Sequence, residues 1–255
     1  PFPLLQTDLA QPGEFARLLE QARPDAVIHA AALASLDQCE KDPALSRRLN
    51  AELPGEVAQA CLRRSIPLAH ISTDSVFDGL RGGYTESDAP NPQGVYASDK
   101  WRGEQAVAAA YPAAFIARVN FFGWSISGQR SLAEFFVTNL AAGKAVNGFT
   151  DVIFCPLIVD ALAETLVEML EKGLSGTYHV LSRECLSKYQ FGRNIARRFG
   201  FDESLLNPIS VADSGLAARR SPNLNLSVAK LETALGRAMP GQAEMLERLY
   251  RQYLE

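Results

Sequence analysis

Short apolar runs alternate with segments of helical periodicity along this chain, the pattern of strands buried in a parallel sheet and joined by covering helices. Residues 26–32, 66–71, 113–119 and 176–180 read as strands. Helices are predicted over residues 14–22, 44–64, 188–199, 228–235 and 242–253, the second opened by Asp42 as N-cap with Pro43 at its first position. A further amphipathic helix runs from Val159-Asp160 through Leu162, Leu166, Met169 and Leu170 to a stop at Lys172-Gly173. Residues 78–93 form a polar, Gly/Pro-rich loop long enough to wall a site, and residues 120–130 a loop leaving the strand at 113–119.

At 255 residues the chain can bury a substantial core in one large domain or two small ones, and 47% hydrophobic with 21% charged residues is ordinary soluble globular composition. No apolar run approaches the ~20 residues of a membrane span, and no signal peptide is visible. A net charge of -4 without a Lys/Arg run argues against nucleic acid or an anionic membrane as partner, so any phosphate recognition must be local. Cys39, Cys61, Cys155 and Cys185 lie far apart without CxxC spacing; they read as reduced core thiols of a cytoplasmic protein, not as a zinc ribbon or redox pair.

The candidate chemistry lies in two segments. Ser72-Thr73-Asp74-Ser75 follows the second strand run, placing Thr73 at a carboxyl end, where open α/β sheets hold their ligands. Tyr96 and Lys100 follow on the next helix and share a face at i,i+4, so the ammonium can stabilise a phenolate beside it. Bringing a tyrosine from its usual ~10 to neutral pH takes roughly 3 units, about 4 kcal/mol of differential stabilisation. Hydroxyl, tyrosine and lysine so arranged form a proton-transfer apparatus for alcohol and ketone chemistry. A bare YxxxK pair is a weak signal that mostly marks a surface helix. Here Asn91-Pro92 precedes it and Arg118-Val119-Asn120-Phe121-Phe122-Gly123 follows the next strand. His29 and His179, each alone on a strand, and Trp101 read as structural.

With Tyr96 and Lys100, the Ser72-Thr73-Asp74-Ser75-Val76-Phe77 segment resembles the extended short-chain dehydrogenase/reductase family, and within it the dTDP-4-dehydrorhamnose reductase branch, whose members carry a similar Ser-Thr-Asp-Tyr-Val-Phe stretch. The likeness runs from Thr7-Asp8-Leu9 through Arg219-Arg220-Ser221-Pro222-Asn223 to the C-terminus. It implies an α/β fold with a Rossmann-like doubly wound parallel sheet and a smaller C-terminal α/β domain. Residues 1–120 plus about 150–172 would form an incomplete NAD(P)-binding domain, and residues 121–149 plus 173–255 a substrate domain. It also implies NADP or NAD as cofactor and NAD(P)H-dependent reduction of a 4-keto-deoxysugar nucleotide, as in dTDP-rhamnose biosynthesis; a homodimer is left open.

The resemblance assigns catalysis to Thr73, Tyr96 and Lys100: Tyr96 gives a proton to the ketone oxygen, Thr73 hydrogen-bonds that oxygen, and Lys100 holds the ribose and lowers the tyrosine pKa. Implied cofactor contacts are Asp8, Leu9, Ala30, Ala31 and Ala32 beside Tyr96 and Lys100. Implied substrate contacts are Thr73, Ser75, Asn120, Phe121, Arg219 and Arg220. Asp8 reads equally as a turn or cap carboxylate, and the arginine pair, suited to bidentate phosphate contacts, also reads as an exposed charged loop. Asn50 matches a position in the family's hydrogen-bond network, or is simply a polar residue inside a helix.

Departures from the branch leave the sugar open: Ser75 stands where Tyr is usual and Phe121 where a substrate-contacting Trp is found. No glycine fingerprint of a dinucleotide site is present, because Gly79, Gly82 and Gly83 follow the Thr73 strand in a loop and open no helix. The expected reading is that an N-terminal strand, turn and helix of the parent protein precede Pro1. A nucleotide-sugar 4-epimerase uses the same Thr, Tyr and Lys and stays open, whereas a 4,6-dehydratase needs an Asp-Glu pair that Asp74-Ser75 does not supply. The non-catalytic alternative is a regulatory subunit, since the beta subunit of methionine adenosyltransferase resembles the same branch, including Gly176-Thr177-Tyr178-His179 and Lys188-Tyr189.

Overall fold

The computed structural model describes residues 3–128, 130–215 and 221–255. The first half of the chain forms α1 (Glu14–Ala22), β1 (Val27–His29), α2 (Leu36–Lys41), α3 (Pro43–Arg47), a π-helical turn (Arg48–Glu52), α4 (Leu53–Arg63), β2 (Leu68–Thr73), a 3-10 turn (Asp74–Val76), α5 (Gly94–Ala110) and β3 (Phe115–Val119). The rest forms β4 (Phe121–Phe122), α6 (Leu132–Ala141), β5 (Val146–Phe149), β6 (Ile153–Phe154), β7 (Leu157–Ile158), α7 (Val159–Glu171), β8 (Gly176–Val180), β9 (Leu186–Ser187), α8 (Lys188–Phe199), β10 (Leu206–Ile209), α9 (Ala229–Leu235) and α10 (Gln242–Leu254). Two compact units result: Pro1–Val76 with Pro90–Arg118 and Leu166–Tyr178, and Phe77–Ala89 with Val119–Thr165 and His179–Glu255.

The first unit is a Rossmann-like α/β layer whose sheet has the order β1-β2-β3-β8. β1 runs parallel to β2, with His29 opposite His70, and is an edge on which Ile28 is 40% exposed. Under the sheet, Phe15 and Leu19 of α1 meet Leu53 and Val57 of α4, Leu68 of β2 and Ile116 of β3 in one apolar cluster. β2 begins two residues later than its apolar run suggests, because the Ile66 N–H turns back to the Cys61 carbonyl at 3.0 Å. It also runs on through Ser72 and Thr73, both buried. Polar residues continue a strand when a partner waits for them, and Ser72 has one in Glu104.

The helix expected over residues 44–64 is interrupted. Asp42 does cap it, accepting from the Leu45 N–H, and Pro43 does sit in its first turn. Around Asn50, however, the coil widens into the π turn, and the Leu53 N–H reaches back to Arg48. Pro54 has no N–H to give the Asn50 carbonyl, so the regular ladder cannot pass this point. Gly103 of α5 packs onto that carbonyl: a Cβ at position 103 would lie 2.3 Å from the Asn50 oxygen. The absence of a side chain there lets α5 approach the preceding helical layer closely.

In the second unit β5 pairs with β10 and β4 with β7, both parallel, while β6 and β9 are antiparallel. β4 lies inside the segment expected to be loop; two residues are too few for periodicity to register. Phe191 of α8 is the hub of the core, 5.0 Å from Phe122 and 5.5 Å from Phe154 between ring centres. The β6–β9 ladder places Cys155 beside Cys185 with Cα atoms 4.1 Å apart, and the two form a disulfide. The expectation of four reduced core thiols therefore holds for Cys39 and Cys61 and fails for this pair. Their sequence separation of 30 conceals a contact made only by strand pairing. His179, read from the sequence as structural, hydrogen-bonds the Ser227 carbonyl through Nδ1 at 3.0 Å and meets the Phe77 ring edge-on.

The close approach at Gly103 is testable. Gly103→Ala should lower unfolding stability by roughly 3 kcal/mol through overpacking against backbone; a urea midpoint equal to wild type would contradict the packing described.

Candidate active site

β2 delivers the first functional group at its carboxyl end, where the chain winds into the turn at Asp74–Val76. Thr73 Oγ1 donates to Asp74 Oδ1 and accepts from the Ser75 backbone N–H, both at 3.2 Å. Ser75 Oγ donates to the same carboxylate oxygen at 3.2 Å. Asp74 is only 1% exposed, so its carboxylate acts in a low-dielectric setting.

α5 delivers Tyr96 and Lys100. Its N-cap, Gln93, contributes no side-chain bond; instead Glu40 of α2 accepts from the Val95 N–H at 2.8 Å. A carboxylate there satisfies an orphan donor and complements the positive helix end. Tyr96 lies close to the Thr73 hydroxyl. Burial pushes its phenol up to about 12, opposed by the Thr73 hydroxyl and reinforced by the charges of Asp74 and Cys39. Lys100 Nζ donates to the Ile71 carbonyl at 2.6 Å, and burial pushes its ammonium down to about 8 against the pull of Glu104. The tyrosine thus stands above its usual range, contrary to the lowering expected from the lysine, because desolvation outweighs an ammonium turned toward Ile71.

Behind these groups lies a buried polar layer that spacing did not reveal. Glu104, one turn beyond Lys100 on α5, accepts from Ser72 Oγ at 2.5 Å and from Arg118 of β3 at 2.8 and 3.1 Å. Arg118 and Glu104 side chains are 3% and 2% exposed, and the guanidinium stacks 5.8 Å from the Trp101 ring centre. Across β1 and β2, His29 and His70 stack with Nδ1 atoms 3.0 Å apart. One ring must donate and the other accept, which for two neutral rings means opposite tautomers. Burial, then the nearby Lys100 charge, pushes His29 down to about 4 and His70 in the same direction.

Asn50 clips the segment that follows β1, accepting from the Leu33 N–H and donating to the Leu33 carbonyl, each at 3.0 Å. Its amide also reaches Ser46 Oγ, which donates to Asp99 at 2.8 Å. The small residues Ala30, Ala31 and Ala32 lead into that clip and are exposed. Leu9, Ala30 and Ala31 share one apolar cavity of about 310 Å³ with Phe15 and Leu19. Asp8 caps its own turn, accepting from the Ala10 N–H at 3.0 Å. Exposed small side chains held in place, and a lysine with three donors of which Ile71 takes one, fit a dinucleotide's ring and ribose.

Of the expected substrate contacts, Ser75 sits beside Thr73, while Asn120 and Phe121 lie in the second unit, where Phe121 is 52% exposed. Arg219 and Arg220 fall outside the described residues. The second unit also holds a cavity of about 470 Å³ lined by Phe135, Asn139, Asn147, Phe149 and Lys188, none of them among the expected site residues. Among the described residues no His/Cys/Asp/Glu cluster could hold a metal, and no helix is long and apolar enough to cross a membrane.

Two stability effects follow. His29 binds its proton less tightly folded, at about 4, than unfolded, near 6.5. Its contribution is therefore complete above the unfolded value and lost as pH falls toward 4, on the order of 3 kcal/mol. Thermal unfolding between pH 7 and 4 should fall more steeply in wild type than in His29→Asn; parallel curves would refute it. Glu104→Gln should cost about 3–5 kcal/mol by leaving Arg118 buried without its counter-charge, measured by chemical denaturation.

The family model of the RmlD substrate binding domain matches residues 3–255. The "Probable low-salt glycan biosynthesis reductase" of Haloferax volcanii is 36% identical over 242 residues, covering 93% of this chain and 81% of the relative. The dTDP-4-dehydrorhamnose reductase of Mycobacterium tuberculosis H37Rv is 34% identical over 229 residues, covering 87% and 74%. The crystal structure of the Bacillus anthracis dTDP-4-dehydrorhamnose reductase in complex with NADP superposes with a TM-score of 0.90 at 28% identity, covering 96% of this chain and 86% of that one. Matched along nearly its whole length, with a hydroxyl, a tyrosine and a lysine gathered at the end of β2, this chain belongs to the RmlD family of extended short-chain dehydrogenase/reductases.

Proposed function

We propose that this chain is an NAD(P)H-dependent reductase of a nucleotide-linked 4-keto-deoxysugar, with Tyr96 as proton donor. The observation that carries the reading is the placement of Tyr96 and Lys100 one turn apart on α5, with Lys100 tied to the Ile71 carbonyl of the strand that ends in the Thr73 hydroxyl. A phenol held above its usual range arrives at neutral pH with its proton in place, as a donor to a developing alkoxide must. NAD(P)H, when bound, supplies the hydride. Lys100, with Leu9, Ala30, Ala31 and Ala32, would hold it, the ammonium reaching a ribose hydroxyl. Asp8 is assigned to the adenosine end. Ser75, Asn120, Phe121, Arg219 and Arg220 are assigned to the substrate, the arginines to its diphosphate. Relatives named as dTDP-4-dehydrorhamnose reductases support this substrate class.

The test is NAD(P)H oxidation with a dTDP-4-keto-6-deoxyhexose, using the protein with any preceding segment of its natural sequence. Tyr96→Phe should lower kcat by about 10²–10⁴-fold while the fold is retained. Equal turnover in wild type and variant would remove Tyr96 from the mechanism. Cofactor binding without turnover would favour another sugar or a regulatory subunit.

A further inference from the structure

A buried ion pair lies one helical turn behind Lys100, and the proposed mechanism gives it no task. Tyr96, Lys100 and Glu104 recur at i, i+4 and i+8 on α5 and so share one face of the helix. Two of them bond consecutive residues of β2: Lys100 Nζ donates to the Ile71 carbonyl at 2.6 Å, and Ser72 Oγ donates to Glu104 Oε1 at 2.5 Å. Arg118 of β3 grips the same carboxylate as a fork, with Nε 3.1 and 3.2 Å from its two oxygens and Nη2 at 2.8 Å. The Glu104 and Arg118 side chains are 2% and 3% exposed, a placement whose desolvation cost is on the scale of what their attraction returns. Stability therefore does not account for the pair. Orientation does: a planar guanidinium held to both oxygens of a carboxylate defines distance and angle together, whereas the Lys100 bond, at the end of a flexible stem, leaves α5 free to roll.

We propose that Ser72 and Glu104 are positioning residues, anchored on β3 by Arg118, that set the rotation and height of α5 against β2 and with them the places of Lys100 and Tyr96. The proposal rests on Tyr96 and Lys100 being the catalytic pair. The carboxylate is attached on two sides, to the residue next to Thr73 and to the neighbouring strand β3, so α5 cannot roll or slide without breaking one of these bonds. The Trp101 ring, centred 5.8 Å from the guanidinium carbon, limits the swing of Arg118. Positions matter at this scale, because a displacement of about 1 Å in a reacting group lowers a rate roughly 10²-fold.

The experiment separates stability from turnover. In the triple variant Ser72→Ala/Glu104→Leu/Arg118→Met the polar groups leave together and no charge is stranded, so its urea midpoint should equal or exceed that of wild type. Its kcat for NAD(P)H oxidation with the keto-sugar should nevertheless fall roughly 10²-fold, the loss lying in kcat and not in KM for the sugar. In crystals of the variant Lys100 Nζ should have left the Ile71 carbonyl. A folded variant with wild-type kcat would overturn the proposal, as would lost turnover with α5 and Lys100 unmoved. Ser72→Ala alone keeps the ion pair whole and should show a smaller fall in kcat at an unchanged urea midpoint. If the triple variant does not fold, an unchanged kcat in this single variant overturns the proposal by itself. If Tyr96→Phe turned over normally, the catalytic reading would fail, and the position of Lys100 in the variant crystals would decide the positioning role alone.

Discussion

The placement of Tyr96 and Lys100 depends on one buried carboxylate, that of Glu104. Glu104 ties α5 to β2 through Ser72 and to β3 through Arg118, at distances of 2.5 and 2.8 Å, with both charged side chains almost wholly out of water. Such a pair returns little net stability, because desolvation consumes most of the Coulomb gain, but it is unforgiving of displacement. A helix pinned this way has a fixed rotation about its axis. That rotation is what directs Lys100 to the Ile71 carbonyl and Tyr96 to Thr73.

Low dielectric explains the behaviour of the site's titratable groups. Lys100 and the histidines move toward their neutral forms, and Tyr96 keeps its proton. Each shift has burial as its largest cause, and neighbouring charges adjust it. The paired imidazoles carry the principle furthest: protonating the accepting ring at Nδ1 would set two donors 3.0 Å apart, and a second proton on either ring would stand near the Lys100 charge. The two histidines thus stay neutral at neutral pH and are costly to charge.

Backbone accommodations place these groups. Pro54 and the π turn free the Asn50 carbonyl, Gly103 accepts it at close range, and the Asn50 side chain fastens the loop after β1. Small residues on that loop then stay exposed at a constant position, a usable surface for a flat ring. In the second unit, aromatic packing around Phe191 and capping boxes at Ser131 and Ser187 serve the same end by settling where α6 and α8 start.

Legibility in the sequence followed the range of the interaction. Strand runs, amphipathic helices, the Asp42-Pro43 start and the i,i+4 pair of Tyr96 and Lys100 are local patterns, so they could be read directly, as could the family they belong to. The π turn was missed because Pro54, midway along the helical pattern, gives no sign of it until the carbonyl it frees is seen meeting Gly103. The Cys155–Cys185 pair, the stacked histidines and the Glu104 network join residues on different strands and helices, and no spacing announces them. The direction of the tyrosine's shift was likewise decided by tertiary structure: sequence placed a cation one turn away, and burial, a property of everything packed around the phenol, outweighed it. The chain alone determined which chemical groups are present and which lie on one face; only folding decided how much water they keep, and with it their protonation.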